Sequence, residues 1–127
     1  MVEQTVLVVD DDPRTIELLH HALDLIGVQM IYTQSGQDSI RMAEEEIPDL
    51  ILMDLLLPAP SISGWEAIQR LKENATSKQI PIIVITAAGG DGIMRAMQAG
   101  ADDYLEKPFS IIELRRKISR LLEVAKH

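Results

Sequence analysis

The sequence predicts an α/β fold in which five parallel strands form a doubly wound sheet of order 2-1-3-4-5, with helices on both faces. The first observation behind this prediction is an alternation of short β-branched runs with amphipathic segments, the pattern of βα units. The second is a length of 127 residues, which fits a single domain. The third is the regular spacing of the runs, which leaves room for one helix after each strand. We therefore expect one domain over residues 1–127.

The predicted strands are the apolar, β-branched runs. They cover Thr5–Val9, Gln29–Thr33, Leu50–Asp54, Pro81–Thr86 and Asp103–Glu106. The predicted helices lie between and after them, at Pro13–Ile26, Gly36–Glu46, Gly64–Asn74, Gly92–Ala99 and Ser110–Val124. The glycine-rich stretch 89–92 is expected to form a mobile connection before the fourth helix.

Boundary signals support the first and last helices. Asp12 and Pro13 are typical of an N-cap and a first helical position, and Gly27 of a C-terminal stop. In the last helix Ser110 and Glu113 have the spacing of a capping box. Both segments repeat apolar residues at helical spacing, so each helix is predicted to pack one apolar face against the core.

Composition excludes several classes of function. The net charge of −8 opposes direct binding to nucleic acid or to an anionic membrane surface. The chain has no cysteine, which excludes thiolate chemistry and a disulfide scaffold and suits a reducing cytoplasm. No apolar run approaches the roughly 20 residues of a membrane span, and the first residues do not resemble a signal peptide. We therefore expect a cytoplasmic protein that contacts neither nucleic acid nor membrane.

Carboxylates stand where two apolar strands end. Asp10 and Asp11 follow the first predicted strand, and Asp54 ends the third. In the predicted topology the carboxyl ends of strands one and three form the switch point where ligands bind. Three carboxylates close together repel, so they favour a hard divalent cation such as Mg²⁺. The alternative for Asp10 and Asp11 alone is that they cap the next helix.

Two further polar residues end the neighbouring strands. Thr86 follows an apolar run, and Lys107 follows the last strand. Each has a simpler reading, Thr86 as a β-branched strand residue and Lys107 as a solvated surface charge. Together with Asp54 and a cation, however, a hydroxyl and an ammonium form a set suited to phosphoryl transfer, with the carboxylate as nucleophile. Walker, dinucleotide-binding, Ser-His-Asp and zinc patterns are absent from the sequence.

Four segments in this order resemble the receiver domain of two-component response regulators, the CheY-like superfamily. They are Val8–Pro13, Pro48–Asp54, Ile85–Ala87 and Ala99–Phe109. The resemblance covers essentially the whole chain and implies a flavodoxin-like sheet. It implies that Asp54 accepts a phosphoryl group from a sensor histidine kinase or a histidine phosphotransfer protein.

The resemblance also assigns the remaining site residues. Asp11, Asp54 and the Leu56 backbone carbonyl would ligate Mg²⁺, with Mn²⁺ as a substitute, and Asp10 would act through water. Thr86 and Lys107 would bind phosphoryl oxygens. On phosphorylation Thr86 would move and Tyr104 would turn inward, which would change the face formed by the fourth helix, fifth strand and fifth helix. A downstream protein would bind this face.

The sequence departs from the family pattern at two loops. The segment Pro58–Gly64 is longer than the usual turn, and Thr86–Gly100 is shorter, so partner surfaces near them are expected to differ. Leu56 and Ala88, which flank the path of attacking water in this family, cannot orient water. We therefore expect a slowly hydrolysing acyl phosphate.

The sequence leaves two rival functions open. An aspartate-nucleophile phosphohydrolase would use Asp54 on small phosphate esters, but Leu56 stands where such enzymes have a second acid. A flavin-binding protein of the same topology would need a phosphate loop and more aromatic residues. We expect a phosphoacceptor and not a multiple-turnover enzyme, either stand-alone or excised from a longer regulator or hybrid kinase. A monomer or a weak homodimer is expected, because exposed charged pairs contribute little to association.

Overall fold

The computed structural model describes residues 3–125. Five strands and five helices alternate along these residues. They are β1 (Thr5–Val9), α1 (Pro13–Leu25), β2 (Gln29–Thr33), α2 (Gly36–Glu46), β3 (Leu50–Met53), α3 (Gly64–Glu73), β4 (Ile82–Thr86), α4 (Gly90–Ala99), β5 (Asp103–Glu106) and α5 (Ile111–Ala125). The predicted domain bounds of 1–127 include residues 1, 2, 126 and 127, which lie outside the described residues.

The sheet has the predicted order β2-β1-β3-β4-β5. All four strand pairs are parallel. In register, Val9 lies opposite both Thr33 and Met53, so β1, β2 and β3 end at the same level. This alignment brings residues 10 and 54 to one edge of the sheet, because each follows the last residue of its strand.

Each face of the sheet packs its own set of helices. Leu7, Ile51 and Val84 contribute to one core with α2, α3 and α4. Val8 and Leu52 contribute to the other core with α1 and α5. The alternation follows from the two-residue period of a strand, which sends successive side chains to opposite faces. Since both faces are covered, β1, β3 and β4 are almost completely buried.

Local signals act at the helix ends as predicted. The Asp12 side chain accepts from the Arg14 N–H at the start of α1, and Gly27 after α1 has a φ of 71°, which an L side chain rarely adopts. At the start of α5 the Ser110 hydroxyl accepts from the Glu113 N–H at 3.3 Å. The element bounds differ from the prediction by a single residue at several ends, as fraying ends usually do.

The start of α4 differs more from the prediction. We expected residues 89–92 to form a mobile connection, but the helix begins at Gly90 and includes Gly92. Glycine disfavours helix, and Gly89 provides no side-chain cap, so the sequence argues against this turn. A hydrogen bond from Trp65 of α3 to the Gly92 carbonyl lies at this turn.

No helix among the described residues is long and apolar enough to cross a membrane.

Candidate functional site

The switch point between β1 and β3 brings three carboxylates together. The Asp54 N–H donates to the Val9 carbonyl at 2.9 Å, which sets residue 54 beside the end of β1. One carboxylate oxygen from each of Asp10, Asp11 and Asp54 lies within 4.8 Å of the others. The acidic cluster predicted from the sequence therefore forms, and we use this name for these three residues below.

The backbone of Asp54 and Leu55 lies unusually close to Gly64, the first residue of α3. A Cβ atom at Gly64 would lie 2.1 Å from the Asp54 carbonyl oxygen and 2.5 Å from the Leu55 Cα. Such contacts are impossible, so only glycine allows α3 to begin against the end of β3. The Gly64 N–H also donates to the Leu55 carbonyl at 3.0 Å and closes the loop between β3 and α3.

Two members of the acidic cluster are deeply buried. Asp10 is 1% exposed and Asp54 is 5% exposed. Each uses one carboxylate oxygen to accept a backbone N–H, from Asp12 at 2.9 Å for Asp10 and from Leu56 at 3.1 Å for Asp54. These bonds fix the orientation of both carboxylates. Burial raises the pKa of Asp10, and the nearby charge of Asp54 raises it further, against hydrogen bonds from Lys107 and Asp12.

Lys107 provides the positive charge at the site. Its backbone N–H, one residue beyond the end of β5, donates to the carbonyl of Thr86, the last residue of β4, at 2.9 Å. Its ammonium donates to Asp10 at 2.8 Å and to Asp54 at 3.0 Å. Burial alone would lower the pKa of Lys107, but the bonds and charges of the two carboxylates together raise it. The ammonium is therefore held in its charged form.

Thr86 ends β4, the strand between those of Asp54 and Lys107 in the sheet. Its side chain is completely buried, and its hydroxyl accepts from the Ala88 N–H at 3.3 Å. The structure thus brings Thr86 to the same edge of the sheet as the acidic cluster. No buried side-chain nitrogen or oxygen among residues 3–123 lacks a partner.

The acidic cluster fits a hard dication. All its side-chain donors are carboxylate oxygens, the ligand type that Mg²⁺ takes in proteins. Asp11 is more accessible than Asp10, which leaves one side of the cluster open to solvent. Lys107 offsets part of the negative charge through ion pairs with Asp10 and Asp54, and within the described part of the chain no ion pair joins it to Asp11.

Leu56 and Tyr104, the two remaining predicted site residues, are both partly exposed. The Leu56 side chain is 49% exposed, while its backbone N–H contacts Asp54. Tyr104 is 42% exposed, and the Lys117 ammonium lies 4.8 Å from the centre of its ring. Lys117 also donates to the Tyr104 carbonyl at 2.6 Å and to Asp103 at 2.9 Å. The outward position of Tyr104 is thus stabilised by its own chain.

Sequence reasoning missed two sets of contacts around the site. The Trp65 indole N–H donates to the Gly92 carbonyl at 2.8 Å and so holds the first turn of α4. Gln37 and Ser61 join α2 to the loop after Asp54. The local sequence gives no signal for the Trp65 contact, which depends on a distant backbone carbonyl, and none for the Gln37 contact, since polar residues on helices usually face solvent.

Comparison with known proteins supports a single family. The response regulator receiver domain family matches residues 6–119. The phosphate regulon transcriptional regulatory protein PhoB of Pseudomonas aeruginosa is 37% identical over 123 residues, which cover 96% of this chain and 53% of PhoB. The chain spans about half the length of the curated relatives it matches.

Solved structures agree in fold, and one of them contains a magnesium ion. The receiver domain of the sensor histidine kinase PA1611 from P. aeruginosa, which has a magnesium ion coordinated in its active site cleft, is 32% identical with a TM-score of 0.85. That match covers 96% of this chain and 99% of the other. The signal receiver domain of a histidine kinase from Syntrophus aciditrophicus is 30% identical with a TM-score of 0.88, covering 98% of this chain and 93% of that one.

These comparisons give no support to the phosphohydrolase alternative, whereas the acidic cluster, the fold and the family match agree with one another. The chain belongs to the response regulator receiver domain family and is a receiver domain of two-component signalling.

Proposed function

We propose that Asp54 accepts a phosphoryl group from a phosphohistidine of a sensor histidine kinase or a histidine phosphotransfer protein. An Asp54 carboxylate oxygen attacks phosphorus, and an O–P bond forms as the P–N bond to the imidazole breaks. The imidazole nitrogen keeps the electron pair and takes up a proton. The observation that carries the proposal is the Lys107 ammonium 3.0 Å from an Asp54 oxygen, beside two further carboxylates.

The residues around Asp54 have distinct roles in this proposal. The Leu56 N–H and the Lys107 ammonium hold the two carboxylate oxygens before attack. Thr86 and Lys107 bind phosphoryl oxygens once the group has arrived, as positioned donors of hydrogen bonds. Because β4 lies between the strands of Asp54 and Lys107, all three residues can reach one phosphoryl group.

Asp11, Asp54 and the Leu56 backbone carbonyl would hold Mg²⁺, with Asp10 acting through water, and Mn²⁺ would substitute. When bound, the dication supplies positive charge that offsets the carboxylates and the phosphoryl oxygens. The all-oxygen donor set of the acidic cluster and the magnesium ion in the PA1611 receiver domain support this assignment.

The signal would pass through Thr86 and Tyr104. When Thr86 turns toward a phosphoryl oxygen, its hydroxyl would lose the hydrogen bond from the Ala88 N–H. The side chain would leave space that the Tyr104 ring can enter. Tyr104 would then leave Lys117, which changes the surface made by α4, β5 and α5. A downstream protein would recognise that surface.

We propose that the domain works in the cytoplasm without direct contact with nucleic acid or membrane. Relatives such as PhoB are transcriptional regulators, and the net charge of −8 opposes DNA binding by this domain itself. We propose a monomer or a weak homodimer, because Asp103 on the α4-β5-α5 face is already paired with Lys117 and Arg120 of its own chain. Hydrolysis of the acyl phosphate on Asp54 would be slow, so the domain would act as a phosphoacceptor and not as a multiple-turnover enzyme.

Incubation with Mg²⁺ and acetyl phosphate tests the proposal, with release of acetate as the P–O bond breaks. Intact-mass measurement should show one added phosphoryl group, lost in Asp54→Asn and blocked by EDTA. The matched control is Asp24→Asn, which changes an exposed aspartate on α1 and should be phosphorylated normally. Continuous release of phosphate without a modified protein would contradict the proposal.

A further inference from the structure

The loop after Asp54, residues 56–63, is poor in hydrogen bonds of its own. Pro58 and Pro60 have no N–H to donate. The backbone bonds within and across this loop join the Ser61 N–H to the Pro58 carbonyl at 3.0 Å and the Gly64 N–H to the Leu55 carbonyl at 3.0 Å. A loop of this kind needs contacts from another element to keep one conformation.

Gln37, near the start of α2, provides two of these contacts. Its side-chain nitrogen donates to the Pro60 carbonyl at 3.1 Å, and its side-chain oxygen accepts from the Ile62 N–H at 3.1 Å. One amide group thus binds the backbone on both sides of residue 61, as a neighbouring strand would. The Ser35 hydroxyl donates to the same Gln37 oxygen at 3.1 Å and holds the amide in place.

Ser61, a residue of the loop, provides a further contact with α2. Its hydroxyl accepts from the Gly36 N–H at 2.8 Å and donates to the Ile62 carbonyl at 2.7 Å. The Gly36 N–H belongs to the first turn of α2, where N–H groups have no partner within the helix. Ser61 therefore satisfies a helix donor and fixes the loop with the same oxygen.

The absence of a side chain at Gly36 is independent evidence for a close fit. A Cβ atom there would lie 2.7 Å from Cγ1 of Ile62 and 2.9 Å from the Ile62 carbonyl oxygen. The loop therefore lies directly on the backbone of α2, and any side chain at residue 36 would push it away.

The same loop begins at the acidic cluster. The Leu56 N–H binds the Asp54 carboxylate at 3.1 Å, and the next residue, Leu57, is 8% exposed and packs in the core beside α2 and α3. Only a short, proline-stiffened segment separates Leu57 from the contacts with Gln37. The Leu56–Ile62 segment is thus restrained by buried Leu57 near one end and by the contacts with α2 at the other, and loss of the α2 contacts would leave the Leu56 peptide restrained from one end only.

We propose that Gln37 and Ser61 are positioning residues for the phosphorylation site. They hold the loop on α2 so that the Leu56 N–H stays on Asp54 and the Leu56 carbonyl stays available to the cation. This inference rests on the proposed function, which assigns that carbonyl to Mg²⁺. It gives the longer loop a specific role, since α2 supplies the restraint that the loop lacks.

Mg²⁺ titration by isothermal calorimetry tests the inference in Gln37→Ala and Gly36→Ala. Partners that orient metal ligands typically change affinity by about 10–100-fold, and we expect an increase of about tenfold in the Mg²⁺ Kd for each variant. Gln79→Ala, which changes an exposed glutamine remote from the loop, should bind as the unmodified chain does. Circular dichroism should show that all variants keep the fold, since alanine favours helix at both α2 positions.

A second readout separates positioning from general stability. In ¹H–¹⁵N NMR spectra without Mg²⁺, the Leu56 amide should shift in Gln37→Ala and in Gly36→Ala, while amides of α1 and α5 stay in place. An unchanged Leu56 amide together with an unchanged Mg²⁺ Kd would overturn the inference and leave the proposed function intact. Failure of the unmodified chain to bind Mg²⁺ would instead overturn the proposed function, and the inference with it.

Discussion

The Lys107 ammonium lies between two buried carboxylates, 2.8 Å from Asp10 and 3.0 Å from Asp54. Lys107 is 97 residues from Asp10 and 53 residues from Asp54 in the sequence. The three residues meet because the carboxyl ends of β1, β3 and β5 lie at one edge of the sheet. The ammonium satisfies charges that burial would otherwise make costly. It also lies where a phosphoryl group on Asp54 would carry its negative charge, so we expect both stability and phosphorylation to depend on Lys107.

Replacement of Lys107 by alanine should slow phosphorylation. The loss of a positioned donor to developing negative charge reduces rates by about 100-fold or more, and we expect a loss of that order with acetyl phosphate. The measurement is the rate of phosphoryl addition by intact mass at fixed Mg²⁺. Lys78→Ala, which removes an exposed lysine from the loop after α3, is the control. Equal rates in the two variants would argue against a role for Lys107 in the reaction.

Mg²⁺ should stabilise the folded chain through the acidic cluster. A ligand that binds only the folded state adds about 2.7 kcal/mol to the free energy of unfolding at about 100 times its Kd. Urea unfolding in Mg²⁺ and in EDTA measures this difference. Asp11→Asn should remove most of it, whereas Asp24→Asn should retain it. Equal stabilisation of both variants would mean that the cation binds elsewhere.

Leu56 and Ala88 should set a long lifetime for the acyl phosphate. Neither side chain can orient water, and Leu56 is 49% exposed beside Asp54. A Leu56→Asn, Ala88→Glu double variant should lose its phosphoryl group about tenfold faster, which corresponds to about 1.4 kcal/mol in the barrier. The decay is followed by intact mass after removal of acetyl phosphate. Leu25→Asn, at a leucine that is 61% exposed on α1, should decay at the original rate. A double variant with an unchanged lifetime would show that water access is set by other groups.

The sheet order and the acidic cluster could be predicted because each depends on strand ends. Asp10 and Asp54 follow runs whose period and β-branching define β1 and β3, and parallel topology then places both at one edge. The position of Lys107 follows in the same way from β5. No long-range information beyond the topology was needed for these three residues.

Contacts between side chains and distant backbone could not be predicted in the same way. Gln37 reads as a solvent-facing helix residue, and only the folded loop provides the Pro60 carbonyl and Ile62 N–H that it binds. The start of α4 was misjudged for a related reason. Local propensity at Gly90 and Gly92 opposes helix, and the contact that favours it comes from Trp65, 27 residues earlier in the chain.

Trp65 therefore should control the start of α4. Its indole N–H donates to the Gly92 carbonyl at 2.8 Å, and its ring lies so close that a Cβ atom at Gly92 would be 3.0 Å from it. Arg95 lies over the same ring at 4.9 Å. Trp65→Phe keeps an aromatic ring but removes the indole N–H and its hydrogen bond, so we expect a decrease of about 1 kcal/mol in the free energy of unfolding.

The decisive measurement for this last prediction is local. The Ile93 N–H donates to the Gly89 carbonyl at 3.0 Å in the first turn of α4, and hydrogen exchange at Ile93 should accelerate in Trp65→Phe more than at core amides of β1. Met94→Leu, at a residue that is 61% exposed on the same helix, should leave exchange at Ile93 unchanged. If Ile93 is as protected in Trp65→Phe as in the unmodified chain, the glycine-rich turn is held by its own backbone bonds and Trp65 does not govern it. If protection is lost only there, α4 begins where α3 allows it to begin, because the three glycines near its start provide neither a cap nor a side chain that could do so.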